Sequence, residues 1–115
     1  MILTVIGARP QFVKAAVVSK ALKEAGIEER IIHTGQHYDE KMSDIFWIEL
    51  GIPLPEKNLM VGSGLHGEQT AHIMIALEKE VIRLKPRALM VYGDTNSTLA
   101  GAVVASKLHV KVIHI

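Results

Sequence analysis

The opening segment, MILTVIGARPQFVKAAVVSKAL, constrains the fold more than any other part of the sequence. Residues 2–6 form an apolar, β-branched run of strand length, and Gly7 interrupts it. Pro10 then stands where the first turn of a helix tolerates it, because proline lacks the N–H that a helix start leaves unpaired anyway. Beyond it, apolar residues recur at helical spacing: Val13, Ala16, Val17 and Ala21. The pattern predicts a buried strand, a tight turn and a helix.

This turn is a candidate anion site. A strand-to-helix turn directs backbone N–H groups and the positive end of a helix dipole at one point, which suits a phosphate. Arg9 in the turn and Lys14 one helical turn later add two cations that suit a diphosphate. An exposed arginine and a solvated lysine explain the same residues equally well, so both interpretations stay open. The turn lacks the GxGxxG and Walker patterns, so dinucleotide or ATP binding has no support.

The composition sets limits on the class of protein. The 115 residues are 49% hydrophobic and 22% charged with a net charge of +1, which indicates a globular domain without a charge-driven nucleic-acid or membrane partner. The absence of cysteine excludes disulfides, thiol catalysis and zinc–thiolate sites. No apolar run approaches the roughly 20 residues that span a bilayer, and the N-terminus lacks signal-peptide features. We therefore expect a cytoplasmic protein.

The rest of the chain alternates between predicted strands and helices. Further strands are predicted at 30–34, 58–61, 88–92 and 110–115, and further helices at 39–50, 67–84 and 98–108. Uniformly apolar strands indicate a parallel sheet with helices on both faces. In the common order 3-2-1-4-5, the first and fourth strands are neighbours at the topological switch point, where ligands bind beyond the carboxyl ends. The turns that carry Arg9 and Asp94 then face each other.

Asp94 is the second candidate site residue. Its ordinary role would be N-cap of the following helix. At the end of a central strand it also suits a carboxylate that moves a proton or holds a sugar hydroxyl, and its expected place opposite Arg9 and Lys14 favours this role. The loop GQHYD after the second strand carries His37, which suits acid–base chemistry or effector binding. Loop histidines are more often simply solvated.

Two other groups are weaker candidates. The stretch GSGLHGEQ at 62–69 is either a ligand-sensing loop or a connection whose backbone needs glycine. Histidines 33, 37, 66 and 72 have no recognised metal-ligand spacing and no thiolate support, so no metal site is predicted. His109 and His114 are expected to be structural.

Four stretches resemble the non-hydrolysing, bacterial and archaeal UDP-N-acetylglucosamine 2-epimerase family: IGARPQFVKAA, HTGQHYD, SGLHGEQT and VYGDTNSTLAGAVVASKLHV. The resemblance runs from the first residue to the last. The sequences IGARPQF and HTGQHYD are similar to those of the branch that acts on UDP-2,3-diacetamido-glucuronic acid. The resemblance implies a cytoplasmic enzyme with two Rossmann-like domains of the glycosyltransferase-B type and an active site in the cleft between them.

The resemblance also implies a chemistry and roles for the candidate residues. Carbon 2 of a UDP-sugar is inverted without a cofactor, by elimination of UDP to a glycal and re-addition, in the synthesis of cell-surface polysaccharide precursors. Arg9 and Lys14 contact the nucleotide-sugar. Asp94 is catalytic, in proton transfer or substrate orientation, and also binds substrate. Gln36 and His37 match a loop that helps to hold a second, regulatory UDP-sugar in some members.

The sequence departs from the family at its last residues. The family continues into an H-x-E-A-G-L-R segment with a catalytic glutamate, of which His114 and Ile115 match the first two positions. We therefore expect an N-terminal domain, residues 1–115, of a longer protein that does not epimerise alone. If the last strand is exposed, it should favour a homodimer. The alternative is a flavodoxin-like nucleotide-binding or regulatory module without catalysis. A nicotinamide-dependent dehydrogenase is excluded by the absent glycine fingerprint.

Overall fold

The computed structural model describes residues 1–36 and 44–115, and for residues 44–46 it describes the backbone alone. In this part of the chain, strands and helices alternate. The strands are β1 (Ile2–Ile6), β2 (Glu29–His33), β3 (Lys57–Asn58), β4 (Ala88–Val91) and β5 (Lys111–His114). The helices are α1 (Arg9–Glu24), α2 (Asp44–Leu50), α3 (His66–Leu84) and α4 (Asn96–Lys107).

The five strands form one parallel sheet in the order β3-β2-β1-β4-β5. This confirms the predicted order and makes β1 and β4 neighbours. Their register pairs Ile2 with Ala88 and Val5 with Val91, so the two strands end level with each other. The turns that follow β1 and β4 consequently leave the sheet side by side.

Helices cover both faces of the sheet, as predicted. Residues that alternate along β1 and β4 enter two separate cores, because successive side chains of a strand point to opposite faces. One core joins α3 and α4 to the sheet through Leu3, Val5, Ile32, Leu77, Val81, Leu89, Val91, Val104 and Ala105. The other joins α1 and α2 through Ile6, Phe12, Ala15, Ile31, Trp47, Ile52, Met90 and Tyr92. The Rossmann-like fold class is confirmed.

The buried face of α1 is not the one its apolar spacing suggests. Val13 and Val17 are 59% and 71% exposed, whereas Gln11, Phe12, Ala15 and Ser19 are buried. Phe12 and Ala15 pack in the core, and the two polar residues are buried because each finds hydrogen-bond partners. The helix itself is confirmed, and Gly26, at φ +73°, ends it in the left-handed conformation that was expected.

The edge strand β3 and the start of α4 differ from the prediction. β3 occupies Lys57–Asn58 instead of 58–61, although Val61 N–H still donates to Thr34 O at 3.1 Å. Thr95, and not Asp94, is the N-cap of α4, because its side chain accepts a hydrogen bond from Thr98 N–H. The helix predicted at 39–50 is present as α2, and its expected N-cap, Asp39, lies outside the described residues.

A buried carboxylate fastens the edge strand β3 to α3. Glu80, 5% exposed, lies 3.0 Å from Lys57 Nζ and 2.7 Å from Arg83 Nη2. Burial raises the pKa of Glu80, but the hydrogen bonds from Lys57 and Arg83 outweigh it and hold that pKa below its ordinary value. Among the helices in the described residues, none is long and apolar enough to cross a membrane.

Candidate functional site

The ends of β1 and β2 and the start of α4 converge on Gly7, the first residue after β1. A Cβ atom built there would lie 2.5 Å from Ser97 Oγ, closer still to Thr34 Oγ1, and 3.1 Å from Gln36 Cβ. These neighbours come from the end of β2 and the start of α4. Only glycine fits at position 7, because the Cβ atom of any other residue would push apart the elements that meet at this edge of the sheet.

A buried polar cluster, formed by Thr34, Gln36 and Ser97, fills the space around Gly7. Thr34 Oγ1 and Ser97 Oγ lie 2.8 Å apart, and Thr34 Oγ1 accepts from Gln36 N–H at 3.2 Å. Gln36 Oε1 accepts from Ser97 N–H at 3.0 Å and also from the Ser97 hydroxyl. All three side chains are 5% exposed or less. The cluster joins the end of β2 to the first turn of α4.

Gln11 connects the turn after β1 to the turn after β4. Its side chain is 4% exposed, and Oε1 accepts from Gly7 N–H at 2.8 Å and from Ala8 N–H at 3.0 Å. Its Nε2 donates to Tyr92 O at 2.7 Å and to Thr95 Oγ1 at 2.9 Å. One buried amide therefore links the β1–α1 turn to the β4–α4 turn.

The expected seat for a phosphate on free backbone N–H groups is wrong for Gly7 and Ala8. Both N–H groups already donate to Gln11 Oε1, which occupies the position where an anion would accept them. While these bonds are in place, a diphosphate at this turn cannot bind the N–H groups of Gly7 and Ala8. Gln11 is the N3 residue of α1, and a glutamine at N3 that reaches back to the N-cap N–H is half of a capping box. That spacing is the sequence signal that could have revealed it.

The three charged candidates lie on the elements that Gln11 connects. Arg9 is the first residue of α1, directly after Ala8, and Asp94 lies between the two Gln11 partners Tyr92 and Thr95. Lys14 lies three residues after Gln11 on α1, and all three charged side chains are exposed. Within residues 1–36 and 44–115, neither Lys14 nor Asp94 forms an ion pair. The turns of Arg9 and Asp94 are thus brought side by side, as the predicted strand order required.

The two candidate residues in the loop after β2, Gln36 and His37, have different outcomes. Gln36 is buried and committed to α4 through Ser97, whereas His37 lies outside the described residues. Gln36 also accepts, through its backbone carbonyl, a hydrogen bond of 3.1 Å from Gln69 Nε2 of α3. The same Nε2 donates to Gly62 O at 2.7 Å, so Gln69 ties the glycine-rich stretch to the β2 loop.

The start of α3 also reaches α4. Asn96 Nδ2 donates to Gln69 Oε1 at 2.8 Å and lies 3.0 Å from His66 Nδ1. His66 and Asn96 are therefore held at the same carboxyl edge as Asp94, a placement that the sequence pattern did not reveal. The stretch 62–69 is anchored at its start by Gly62 and at its end by Gln69.

His33 lies beneath this edge in an aromatic cluster. Its ring stacks on the Phe12 ring with centroids 5.3 Å apart and meets the Trp47 ring edge-on at 5.8 Å. Among the described residues, neither ring nitrogen has a hydrogen-bond partner of normal geometry. Burial lowers the pKa of His33, and the neighbouring Asn58 side chain opposes this to a smaller extent. No group of three or more metal-binding side chains occurs in the described part of the chain.

A groove lies away from this edge of the sheet. It has a volume of about 820 Å³ and is lined by residues from the second half of α1, the start of β2 and the segment after α2, including Ser19, Lys23, Glu29 and Ile52. This is the amino end of the strands. Ligands of open parallel sheets bind beyond the carboxyl ends, so the groove is not the expected site.

Comparison with known proteins identifies the family. A family profile described as UDP-N-acetylglucosamine 2-epimerase matches residues 20–115, most of the chain. The chain belongs to the UDP-N-acetylglucosamine 2-epimerase family. It is 54% identical over 115 residues to the UDP-2,3-diacetamido-2,3-dideoxy-D-glucuronate 2-epimerase of Pseudomonas aeruginosa, covering 99% of this chain and 32% of that protein.

Solved structures of the family agree with the fold. The Methanocaldococcus jannaschii UDP-GlcNAc 2-epimerase in complex with UDP-GlcNAc and UDP matches with a TM-score of 0.91 at 48% identity, over 100% of this chain and 32% of that one. The Neisseria meningitidis UDP-GlcNAc 2-epimerase bound to UDP-GlcNAc matches with a TM-score of 0.87 at 29% identity, over 99% of this chain and 31% of that one. The chain thus spans about a third of the length of these epimerases. Membership of this family does not favour the alternative of a flavodoxin-like regulatory module.

Proposed function

We propose that the protein containing this chain interconverts a UDP-sugar of the UDP-N-acetylglucosamine type and its epimer at carbon 2. The chain would supply one side of the active site. The observation that carries the proposal is the link made by Gln11 between the turns of Arg9 and Asp94 at the switch point of the sheet. It occurs in a chain 48% identical to an epimerase structure that holds UDP-GlcNAc and UDP.

The proposed roles follow from charge and position. The guanidinium of Arg9 and the ammonium of Lys14 bind the diphosphate, since Gly7 and Ala8 have no N–H groups left to offer it. Asp94 faces the sugar, where a carboxylate either accepts the proton from carbon 2 or orients the sugar for that transfer. As that C–H bond breaks, its electron pair forms the C1–C2 double bond, and UDP leaves with the pair of the C1–O bond. Re-addition of UDP to carbon 1 and of a proton to the other face of carbon 2 completes the inversion.

The names of the relatives support a proposal for the substrate. Their names divide between UDP-N-acetylglucosamine and UDP-2,3-diacetamido-2,3-dideoxy-D-glucuronate at similar identity, 48% and 54%. Both sugars carry an acetamido group at carbon 2, the carbon that is inverted. We propose UDP-N-acetylglucosamine as the reference substrate and the diacetamido-glucuronate as the competing one, in the supply of precursors for surface polysaccharides.

Regulation by a second UDP-sugar at Gln36 and His37 remains a proposal. The Gln36 side chain is buried against Ser97, so an effector would not bind that side chain from solvent without displacing it. Gln36 would instead anchor the loop and transmit its position to α4.

Four further properties are proposed for the protein that contains this chain. These are a cytoplasmic location, a homodimer, a second domain, and the inability of this chain to epimerise alone.

The test is an assay of the complete product of the reading frame that encodes this chain. Incubation with UDP-N-acetylglucosamine in D₂O should produce the manno epimer with deuterium at carbon 2. Arg9→Ala should weaken the binding of UDP, and Asp94→Asn should lower kcat by about 10²-fold or more, as expected for a group engaged in proton transfer. A wild-type protein that binds neither UDP nor either UDP-sugar would refute the proposal.

A further inference from the structure

The side chain of Gln11 uses both ends of its amide to span two turns. Two backbone N–H groups after β1 donate to its oxygen, and its nitrogen donates to Tyr92 O and Thr95 Oγ1 after β4. A third contact, from Nε2 to Thr98 Oγ1, is 3.3 Å long. No other residue type of this length offers an acceptor and two donors without a charge, so the bridge depends on glutamine chemistry.

Each turn is held internally by other bonds. In the β4–α4 turn, the Thr98 hydroxyl donates to Tyr92 O, and the Thr95 side chain accepts from Thr98 N–H at 3.3 Å. In the β1–α1 turn, Gln11 N–H donates to Ala8 O at 2.9 Å. The side chain of Gln11 therefore adds a constraint that these internal bonds do not supply, namely the position of one turn relative to the other.

We infer that Gln11 is a positioning residue that holds Arg9 and Asp94 at a fixed separation during catalysis. The inference rests on the proposed function. Elimination requires that the C1–O bond to the diphosphate and the C–H bond at carbon 2 break in a defined geometry, with the diphosphate on one turn and the sugar beside the other. In the proposed roles, this chain binds the diphosphate through Arg9 and Lys14, which both lie on α1, so loss of the bridge lowers kcat and spares the affinity for UDP.

A purely structural role for Gln11 makes a different prediction. A buried amide that only satisfies backbone groups would lower stability when removed, while each folded molecule would turn over and bind UDP as before. Ser19 provides a matched control on the same helix. It is 4% exposed and donates a hydrogen bond to Glu29, far along α1 from both turns.

The experiment compares Gln11→Met, Gln11→Asn and Ser19→Ala in the complete protein. Methionine keeps the side-chain length without the amide, and asparagine keeps the amide but is one methylene too short to reach both turns. If methionine prevents folding, asparagine still tests the bridge. For the Gln11 variants we expect kcat to fall by about 10²-fold with an unchanged inhibition constant for UDP, because a displacement near 1 Å costs that much. Ser19→Ala should retain the wild-type kcat.

Two failures are distinguishable. A wild-type protein without epimerase activity refutes the proposed function. If the wild type is active and the folded Gln11 variants match Ser19→Ala in kcat, or lose kcat and UDP affinity in parallel, Gln11 does not position the two turns and the inference is wrong.

Discussion

Gly7 sets the tightest steric requirement at the carboxyl edge of the sheet. Because a Cβ there would overlap Thr34 and Ser97, we expect Gly7→Ala to lower the free energy of unfolding by about 1–3 kcal/mol, as overpacking does. Chemical denaturation of the chain measures this. Gly64→Ala is the control, since a Cβ at Gly64 meets no described residue within 4 Å and should change stability by no more than about 0.5 kcal/mol. Equal midpoints for both variants would show that the strand ends do not meet this closely.

At the same scale, the sequence revealed the charged residues but not the amides beneath them. Arg9 and Asp94 could be picked out because they follow predicted strands. Gln11 and Gln69 read as ordinary polar residues, since hydrophobic periodicity counts only apolar side chains, and Gln36 was marked only by the family resemblance. Their burial becomes visible only when the strand ends converge and the backbone groups at each turn need partners.

Among the elements, α1, β2 and α2 share one aromatic cluster. Phe12, His33 and Trp47 come from these three elements in turn, and the Phe12 and Trp47 rings lie 4.8 Å apart. Of the residues described, Asn58 is the polar neighbour that acts on the His33 ring, and no charged group is among the causes of its pKa shift. Protonation of His33 would therefore place an uncompensated charge in the core.

The lowered pKa of His33 makes stability depend on pH in one direction. The unfolded chain takes up the proton near pH 6.5 and the folded chain only at lower pH, so stability is complete above about pH 6.5 and falls below it. The limiting slope for one proton is about 1.4 kcal/mol per pH unit. Denaturation between pH 7.5 and 5 should show this decline, and His33→Phe should reduce it. The exposed His72→Gln is the control. An unaltered decline in His33→Phe would contradict the assignment.

The elements also show where prediction from sequence succeeded. Apolar strands alternating with helices were enough to predict a parallel sheet, and the common order 3-2-1-4-5, one of the few that crossover connections permit, correctly made β1 and β4 neighbours. The buried face of α1 was not predictable from Val13 and Val17, since the sheet selects Phe12 and Ala15 and the turns select Gln11. β3 is short because the backbone leaves the extended conformation at Met60, which has φ +57°, although Val61 and Gly62 still donate to carbonyls after β2.

At the scale of the whole molecule, the groove beside the second half of α1 and the candidate site lie at opposite ends of the strands. The groove of about 820 Å³ is at the amino ends, whereas Arg9, Lys14 and Asp94 follow carboxyl ends or lie on the helix that starts there. The volume of the groove and the positions of the charged candidate residues therefore predict different binding sites for a nucleotide-sugar. The topological argument favours the carboxyl edge.

The most direct test is to titrate the isotopically labelled chain with UDP-N-acetylglucosamine and follow its backbone amide signals by NMR. The account predicts saturable shifts at residues 7–14 and 93–97 that disappear in Arg9→Ala, with no conversion of the sugar by this chain. Shifts confined to the groove around Ser19, Lys23 and Ile52, or a titration unaffected by Arg9→Ala, would contradict a nucleotide-sugar site at the carboxyl edge of β1 and β4.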